Sequence, residues 1–287
     1  MFYRLLILDQ KNRLLNEADN IYSDFLTKAK ERFKAGDVDV IELSTAENQR
    51  LQIANQQQML ATDYNVLLEH FQSLLNTGTK TEPVADSIVY PFREIADVPD
   101  LYNTPMLKLY RQRILVSEQQ KKLENARLLP TFSVGYNSTT IIGWQTFGIN
   151  TEKYYGSDKR FESFNAGIGI PLFYGAQRAK IVAADRQIKQ REQELAAVKQ
   201  QLNTDLAGAI KTYTQRKKSA AVYRSTMLPN ATTIISAANT KLSLGEISYL
   251  EWTLLINQAL QIRNEYFTTI EQMNEAAFEI ERISAIN

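Results

Sequence analysis

The first 76 residues carry apolar side chains at the spacing of one helix face, with one glycine interruption. Apolar residues recur at intervals of four, three and four, at Leu14, Ala18, Ile21 and Phe25. This is the repeat of an amphipathic helix. Gly36 interrupts the pattern, which resumes at Val40, and glycine readily takes the left-handed conformation that ends a helix. The sequence therefore predicts an antiparallel helical hairpin over residues 1–76, with its tip at Gly36.

The next two segments are a connection and a single helix. Residues 77–105 hold four of the seven prolines, but the run Ile88–Phe92 is too apolar for a free linker, so we expect partial order. A helical pattern occupies most of residues 106–130. It stops before Pro130, because the residue preceding a proline disfavours the helical conformation.

Residues 131–173 alternate with a period of two, which predicts a β-hairpin. One face is apolar, with Phe132, Val134, Tyr136, Phe164, Ile168 and Ile170. The other face is small and polar, as the wall of a water-filled pore requires, with Ser133, Gly135, Asn137, Asn165, Gly167 and Gly169. An ordinary half-buried hairpin would show the same alternation. Residues 142–161 are expected to form a loop that contains Trp144, Phe147, Tyr154 and Tyr155.

A second, longer helical hairpin is predicted over residues 174–287. Apolar residues lie at intervals of seven, at Ile181, Ile188, Leu195 and Leu202, which is typical of coiled-coil packing. Pro229 should kink or break the helix, because proline lacks the N–H donor. Gly245 forms the second tip. Fifty helical residues extend for about 75 Å, which does not suit a compact enzyme core.

The two glycine turns are copies of each other. At an offset of 209 residues, seven positions between Gly36 and Asn55 are identical to their counterparts between Gly245 and Asn264. The chain therefore contains two related helical hairpins, with a helix and a strand pair between them.

Composition excludes several classes of site. With 33 basic and 32 acidic residues, the net charge of +1 gives no electrostatic reason to expect nucleic acid. The chain has no cysteine and only one histidine, His70. No acid–base constellation or phosphate-binding glycine loop is present. We therefore predict that the protein is not an enzyme, and we identify no catalytic, cofactor-binding or metal-ligating residue and no cofactor.

The order of motifs resembles the second repeat of the TolC-type outer-membrane efflux proteins. The resemblance rests on Ala126–Pro130 before a strand, Ile170–Phe173 with Gly175 and Arg178 after one, Leu228–Pro229 within a helix, and Gly245 followed by Ser248–Glu251. The turn Ala35–Asp37 with Ile41–Glu42 is most similar to the heavy-metal (CusC/CzcC-like) branch.

The resemblance implies a mainly α protomer of an α-barrel, built from long antiparallel helical hairpins with one β-hairpin. It implies a homotrimer whose strand pairs share a β-barrel in outer-membrane lipid, and whose helices continue through the periplasm of a Gram-negative bacterium. The function implied is a passive duct for metal cations or drugs. Its partners would be a periplasmic adaptor protein and an inner-membrane RND-type pump.

The chain departs from the family by lacking the first-repeat strands and leading helix, a signal peptide and an acylated cysteine. We expect either an N-terminally truncated protein or the C-terminal, duct-like segment of a larger polypeptide. By itself, this chain is expected to be soluble or weakly associating, because an open strand pair leaves unpaired edges.

The two tips are the expected adaptor-docking surface. They comprise Ala35, Gly36, Asp37 and Val38, and Leu244, Gly245, Glu246 and Ile247. Three carboxylates, of Asp39, Glu42 and Glu251, are candidates for a pore entrance that attracts cations. Capping and solvation of helix ends is the simpler role for them. A soluble coiled-coil scaffold without a transport role is the alternative function, although a scaffold has no use for the strand pair.

Overall fold

The computed structural model describes residues 1–36, 39–76, 81–93, 101–146, 148–149 and 151–284. It contains two compact units. The first comprises Met1–Leu101 and Leu202–Asn287, and the second comprises Tyr102–Gln201. The predicted fold class is confirmed, since long helices, arranged as hairpins, dominate and an antiparallel strand pair is present.

The first hairpin consists of α1 (Phe2–Ala35) and α2 (Val40–Leu75). The α1 helix buries the predicted apolar stripe, including Leu14, Ala18 and Phe25, and α2 packs along it. Gly36 has φ 81° and ends α1 in the left-handed conformation that the sequence predicts. Asp37 and Val38, part of the predicted tip, lie outside the described residues.

The second hairpin consists of α4 (Gly175–Val222), one π-helical turn (Tyr223–Met227), α5 (Leu228–Ser243) and α6 (Tyr249–Ser284). Pro229 does not end the helix. The π turn precedes it, with the Leu228 N–H donating to the Tyr223 carbonyl five residues back. At this turn the backbone hydrogen bond thus spans five residues in place of four, which accommodates a proline that has no N–H donor.

The two hairpins pack together through α1 and α6. A buried cluster, here called the tip cluster, contains Ala18, Tyr22, Phe25, Leu26, Ala29, Ala46, Ile53, Ala238, Tyr249, Trp252 and Ile256. Residues from both sides of both turns contribute to it. Gly36 and Gly245 therefore lie at the same end of this unit.

The segment 81–93 is held against α6. The Tyr90 N–H donates to Asn274 Oδ1 at 2.9 Å, and Asn274 Nδ2 donates to the Ile88 carbonyl at 2.8 Å. The Tyr90 hydroxyl also donates to the Glu281 carboxylate. The segment is thus ordered, as its apolar residues predict.

The second unit contains α3 (Pro105–Ala126), four strands and the first part of α4. Strands β1 (Thr131–Thr139) and β4 (Phe161–Gly169) pair antiparallel, with Phe132 opposite Ile168 and Tyr136 opposite Phe164. Directly opposed residues share a face, so the predicted apolar face is present. Gln177 of α4 donates to both the backbone carbonyl and the carboxylate of Glu124 at 2.8 Å, which joins the helices next to the strands.

The predicted loop 142–161 contains two further strands, which is a correction. Strands β2 (Gly143–Thr146) and β3 (Glu152–Tyr155) pair antiparallel, and the rings of Trp144 and Tyr154 meet edge to face at 5.5 Å. Strands of four residues are too short for alternation to distinguish them from a loop. Within the described ranges, none of the helices combines the length and apolar content that a membrane crossing needs.

Candidate functional site

The first tip is a left-handed glycine turn. The Gly36 N–H donates to the Phe33 carbonyl at 3.1 Å, and a Cβ added at Gly36 would meet no atom within 4 Å. Glycine is therefore required here by the backbone conformation and not by crowding within the chain. Asp39 then adopts an extended conformation before α2, and its side chain forms no capping hydrogen bond.

The second tip is a complete Schellman motif. The Gly245 N–H donates to the Leu242 carbonyl at 3.1 Å, and the Glu246 N–H donates to the Lys241 carbonyl at 2.9 Å. Gly245 has φ 74°. The side chain of Leu244 is 67% exposed, whereas Ile247 packs against the tip cluster.

A capping box begins α6 at Ser248 and Glu251. The Ser248 N–H and hydroxyl both donate to Glu251 Oε2, at 2.8 and 2.9 Å, and the Glu251 N–H donates to Ser248 Oγ at 3.3 Å. The backbone N–H of Ser248, followed by its hydroxyl, holds the pKa of Glu251 below its usual value. This carboxylate therefore has a structural partner at the start of its own helix.

The other two candidate carboxylates differ in their surroundings. Glu42 lies in the first turn of α2 and forms an ion pair with Arg32 of α1 at 3.4 Å, across the first tip. Asp39 is exposed. Asp39 is therefore the most available of the three for a charge on the tip surface.

Aromatic side chains join the two hairpins below their tips. Phe25 of α1 stacks on Tyr249 of α6, with ring centroids 3.9 Å apart, and lies 4.9 Å from the Trp252 ring. The indole N–H of Trp252 donates to Asn239 Oδ1 of α5 at 2.8 Å. Sequence reasoning missed this junction, because the apolar period of α1 does not identify its partner.

A second link lies one turn before Phe25 in α1, farther from the tip. The Tyr22 hydroxyl donates to Asn257 Oδ1 of α6 at 2.8 Å. Burial raises the pKa of Tyr22, with the neighbouring Tyr249 adding to the effect. The hydroxyl therefore remains a neutral donor, and the link does not depend on pH near neutrality. Asn257 belongs to the internal repeat, which was the only sequence signal at this position.

A recess of about 880 Å³ lies beside the tip cluster. Its wall includes Phe25, Tyr249 and Trp252, and the charged side chains of Lys28 and Arg32 line it as well. Exposed apolar residues surround the tips, with Val40 and Ile41 after the first turn and Leu244 and Leu250 at the second. Ile41 and Leu250 are equivalent positions of the repeat. The described residues of the two tips thus form a surface that combines apolar and charged side chains.

Among the described residues, no group of three or more histidine or acidic side chains is placed to hold a metal ion.

The sequence profile of the outer membrane efflux protein family matches residues 101–284, which is more than half of the chain. The chain therefore belongs to the outer membrane efflux protein family. Proteins of this family are channels and not enzymes, so the predictions of a TolC-type efflux protein and of a non-enzymatic role are confirmed.

The chain has the same fold as several solved structures of membrane proteins. A membrane protein from Pseudomonas aeruginosa is 13% identical with a TM-score of 0.79, over 99% of this chain and 66% of that one. The Campylobacter jejuni CmeC outer membrane channel is 12% identical with a TM-score of 0.78, over 99% and 60%. CusC, described by its transmembrane channel formation, is 13% identical with a TM-score of 0.78, over 99% and 66%.

The chain thus spans less than two thirds of the length of these three structures. At this level of identity the similarity shows the fold alone. No curated protein sequence matches the chain significantly.

Proposed function

We propose that the chain is a component of a passive efflux duct in the outer membrane and periplasm of a Gram-negative bacterium. The observation that carries the proposal is the pair of related hairpin tips at one end of a helical unit, in a member of this family. The alternative of a coiled-coil scaffold leaves the exposed apolar strand face without a purpose.

The tips are the proposed docking surface for a periplasmic adaptor protein, which in turn links the duct to an inner-membrane RND-type pump. Leu244, Ile41 and Leu250 are each more than 60% exposed and surround the turns. Ile247 already packs within the chain, so the apolar contact is assigned to these three side chains in its place. Ala35, Gly36, Asp37, Val38, Gly245 and Glu246 complete the proposed surface by their positions in the turns.

A homotrimer is proposed from the outer side of α2. Ala46 and Ile53 of α2 pack in the tip cluster, whereas five large apolar residues of the same helix are exposed: Ile41, Leu51, Met59, Val66 and Leu74. The spacing of most of these residues corresponds to a stripe along one helix side. Such a stripe is expected to be buried by the helix of another copy, which supports closure of several copies into a ring.

Outer-membrane lipid is proposed as the environment of the β1–β4 pair. The large apolar side chains on one face are 53 to 85% exposed within the chain: Phe132, Val134, Tyr136, Phe164 and Ile168. A contiguous apolar face of this kind marks an interaction surface or a membrane contact.

The substrate is proposed to be a metal cation or a drug. The similarity to the heavy-metal branch stays a proposal from the sequence. Asp39 is the favoured pore-entrance carboxylate, because Glu42 and Glu251 already have partners. In a ring, one Asp39 from each copy would favour cations near the tips.

Docking is tested by Leu244→Lys combined with Ile41→Lys in the bacterium that encodes the chain. We expect export of metal ions or dyes to be lost, while the protein remains folded and in the outer-membrane fraction. Val84→Lys is the matched control, because Val84 is an exposed apolar residue in the segment held far along α6 from the tips. Unchanged export by the double variant would count against tip docking.

A further inference from the structure

One face of the β1–β4 pair consists of five opposed residue pairs, of which four contain only small or polar residues, and the fifth, Thr139 with Phe161, lies at the end of the strands. The register opposes Thr131 to Gly169, Ser133 to Gly167, Gly135 to Asn165, and Asn137 to Ser163. Every second residue of a strand projects to the same side. The apolar residues assigned to the lipid therefore project from the opposite side, and the residues of this face project away from it.

The polar side chains lie over the glycines opposite them. A Cβ added at Gly135 would overlap the amide oxygen of Asn165, and one added at Gly167 would lie 2.8 Å from the Ser133 hydroxyl. The Ser133 hydroxyl donates to the Gly167 carbonyl at 3.4 Å. Because each of these side chains occupies the space that its glycine leaves free, the face has low relief over these pairs, whereas Phe161 adds bulk at the end of the strands.

The face also has no fixed charge. All ten of its residues are described, and none of them is acidic, basic or histidine. Its hydroxyl and amide groups supply both hydrogen-bond donors and acceptors. Such a surface hydrates well but provides no ring of charge to favour cations or anions.

We infer that this face lines the passage as an uncharged wall, which does not distinguish solutes by the sign of their charge. The inference rests on the proposed duct function, and it describes the solutes that can pass the β1–β4 part of the duct. Hydrated ions and bulky organic molecules pass the same wall. A preference for cations originates elsewhere in the protein, in carboxylates such as Asp39.

The test compares the full chain with three variants in planar lipid bilayers under a KCl gradient. Asn165→Asp adds a negative charge at nearly constant volume, and Asn165→Phe adds bulk to the polar face. Ala166→Phe is the matched control, because Ala166 is the neighbouring residue on the apolar face, opposite Val134. Circular dichroism establishes that each variant retains its helices, and Asn137→Asp provides a second charge variant on the same face.

For Asn165→Asp and Asn137→Asp we expect a shift of the reversal potential toward that of K⁺, without a loss of conductance. For Asn165→Phe we expect a loss of single-channel conductance, and for Ala166→Phe neither change. Channels with the same reversal potential and conductance in all variants would overturn the inference and leave the duct function intact. A wild-type chain that forms no channel would overturn both.

Discussion

The ring of Phe25 on α1 lies nearly parallel to the ring of Tyr249 on α6, with an angle of 11° between their planes and 3.9 Å between their centroids. This stack joins α1, the first helix of the first hairpin, to α6, the last helix of the second hairpin, close to the two tips. Aromatic pairs contribute about 0.5–1.5 kcal/mol beyond their buried area. The two tips are therefore expected to behave as one rigid surface.

Phe25→Ala should loosen this junction. Removing a buried phenylalanine costs roughly 3–5 kcal/mol of the free energy of unfolding, and Phe25 is 6% exposed. Urea unfolding followed by circular dichroism measures the loss. Phe33→Ala, at an exposed position of the same helix, is the control and should cost much less. Equal losses for the two variants would show that the stack is not the main connection.

Alanine at the turn glycines should destabilise the protein. Gly36 and Gly245 have φ 81° and 74°, a conformation that costs an alanine roughly 1–2 kcal/mol. Gly208 lies inside α4 with open space at its Cβ position. Gly208→Ala should therefore stabilise the helix by about 0.5–1 kcal/mol. Opposite signs of the change in melting temperature for the turn and helix variants are the expected result, and equal signs would contradict it.

The turns were predictable from sequence because a glycine between two helical apolar periods marks a left-handed helix end. The two faces of the strand pair were predictable too, since a slip of one residue would move Phe132 and Val134 to the polar face. The Phe25–Tyr249 stack and the Asn274 contacts were not predictable, because they join residues far apart in the chain. The apolar period of a helix indicates which side is buried but not which element packs against it. The π turn before Pro229 was missed because sequence predicts only a lost donor, not how the helix accommodates it.

The capping box predicts a pH dependence of stability. The pKa of Glu251 is lowered by the Ser248 N–H and hydroxyl, so its folded pKa lies below the unfolded value of about 4.3. Its contribution is therefore complete above the unfolded pKa and is lost as pH falls through the folded pKa. Ser248→Ala removes one of the donors and should raise the pKa of Glu251, as measured by an NMR titration of its side-chain carbonyl. An unchanged pKa of Glu251 in Ser248→Ala would contradict the capping assignment.

Asn274→Ala should release the segment 81–93 from α6. Asn274 is 3% exposed and holds the Tyr90 N–H and the Ile88 carbonyl, which are 184 and 186 residues away along the chain. Loss of both bonds leaves a backbone donor and a backbone acceptor without their partner, at a cost of about 1–3 kcal/mol for each group that stays buried. Hydrogen exchange at the Tyr90 amide should accelerate strongly, while exchange at α1 amides near the tip cluster should change little. Asn274→Asp keeps the acceptor for Tyr90 but loses the donor to Ile88, so its Tyr90 amide should exchange at an intermediate rate. Protection of Tyr90 that is unchanged in both variants would mean that the Tyr90–Glu281 hydrogen bonds and the aromatic contacts with Phe278 hold the segment by themselves.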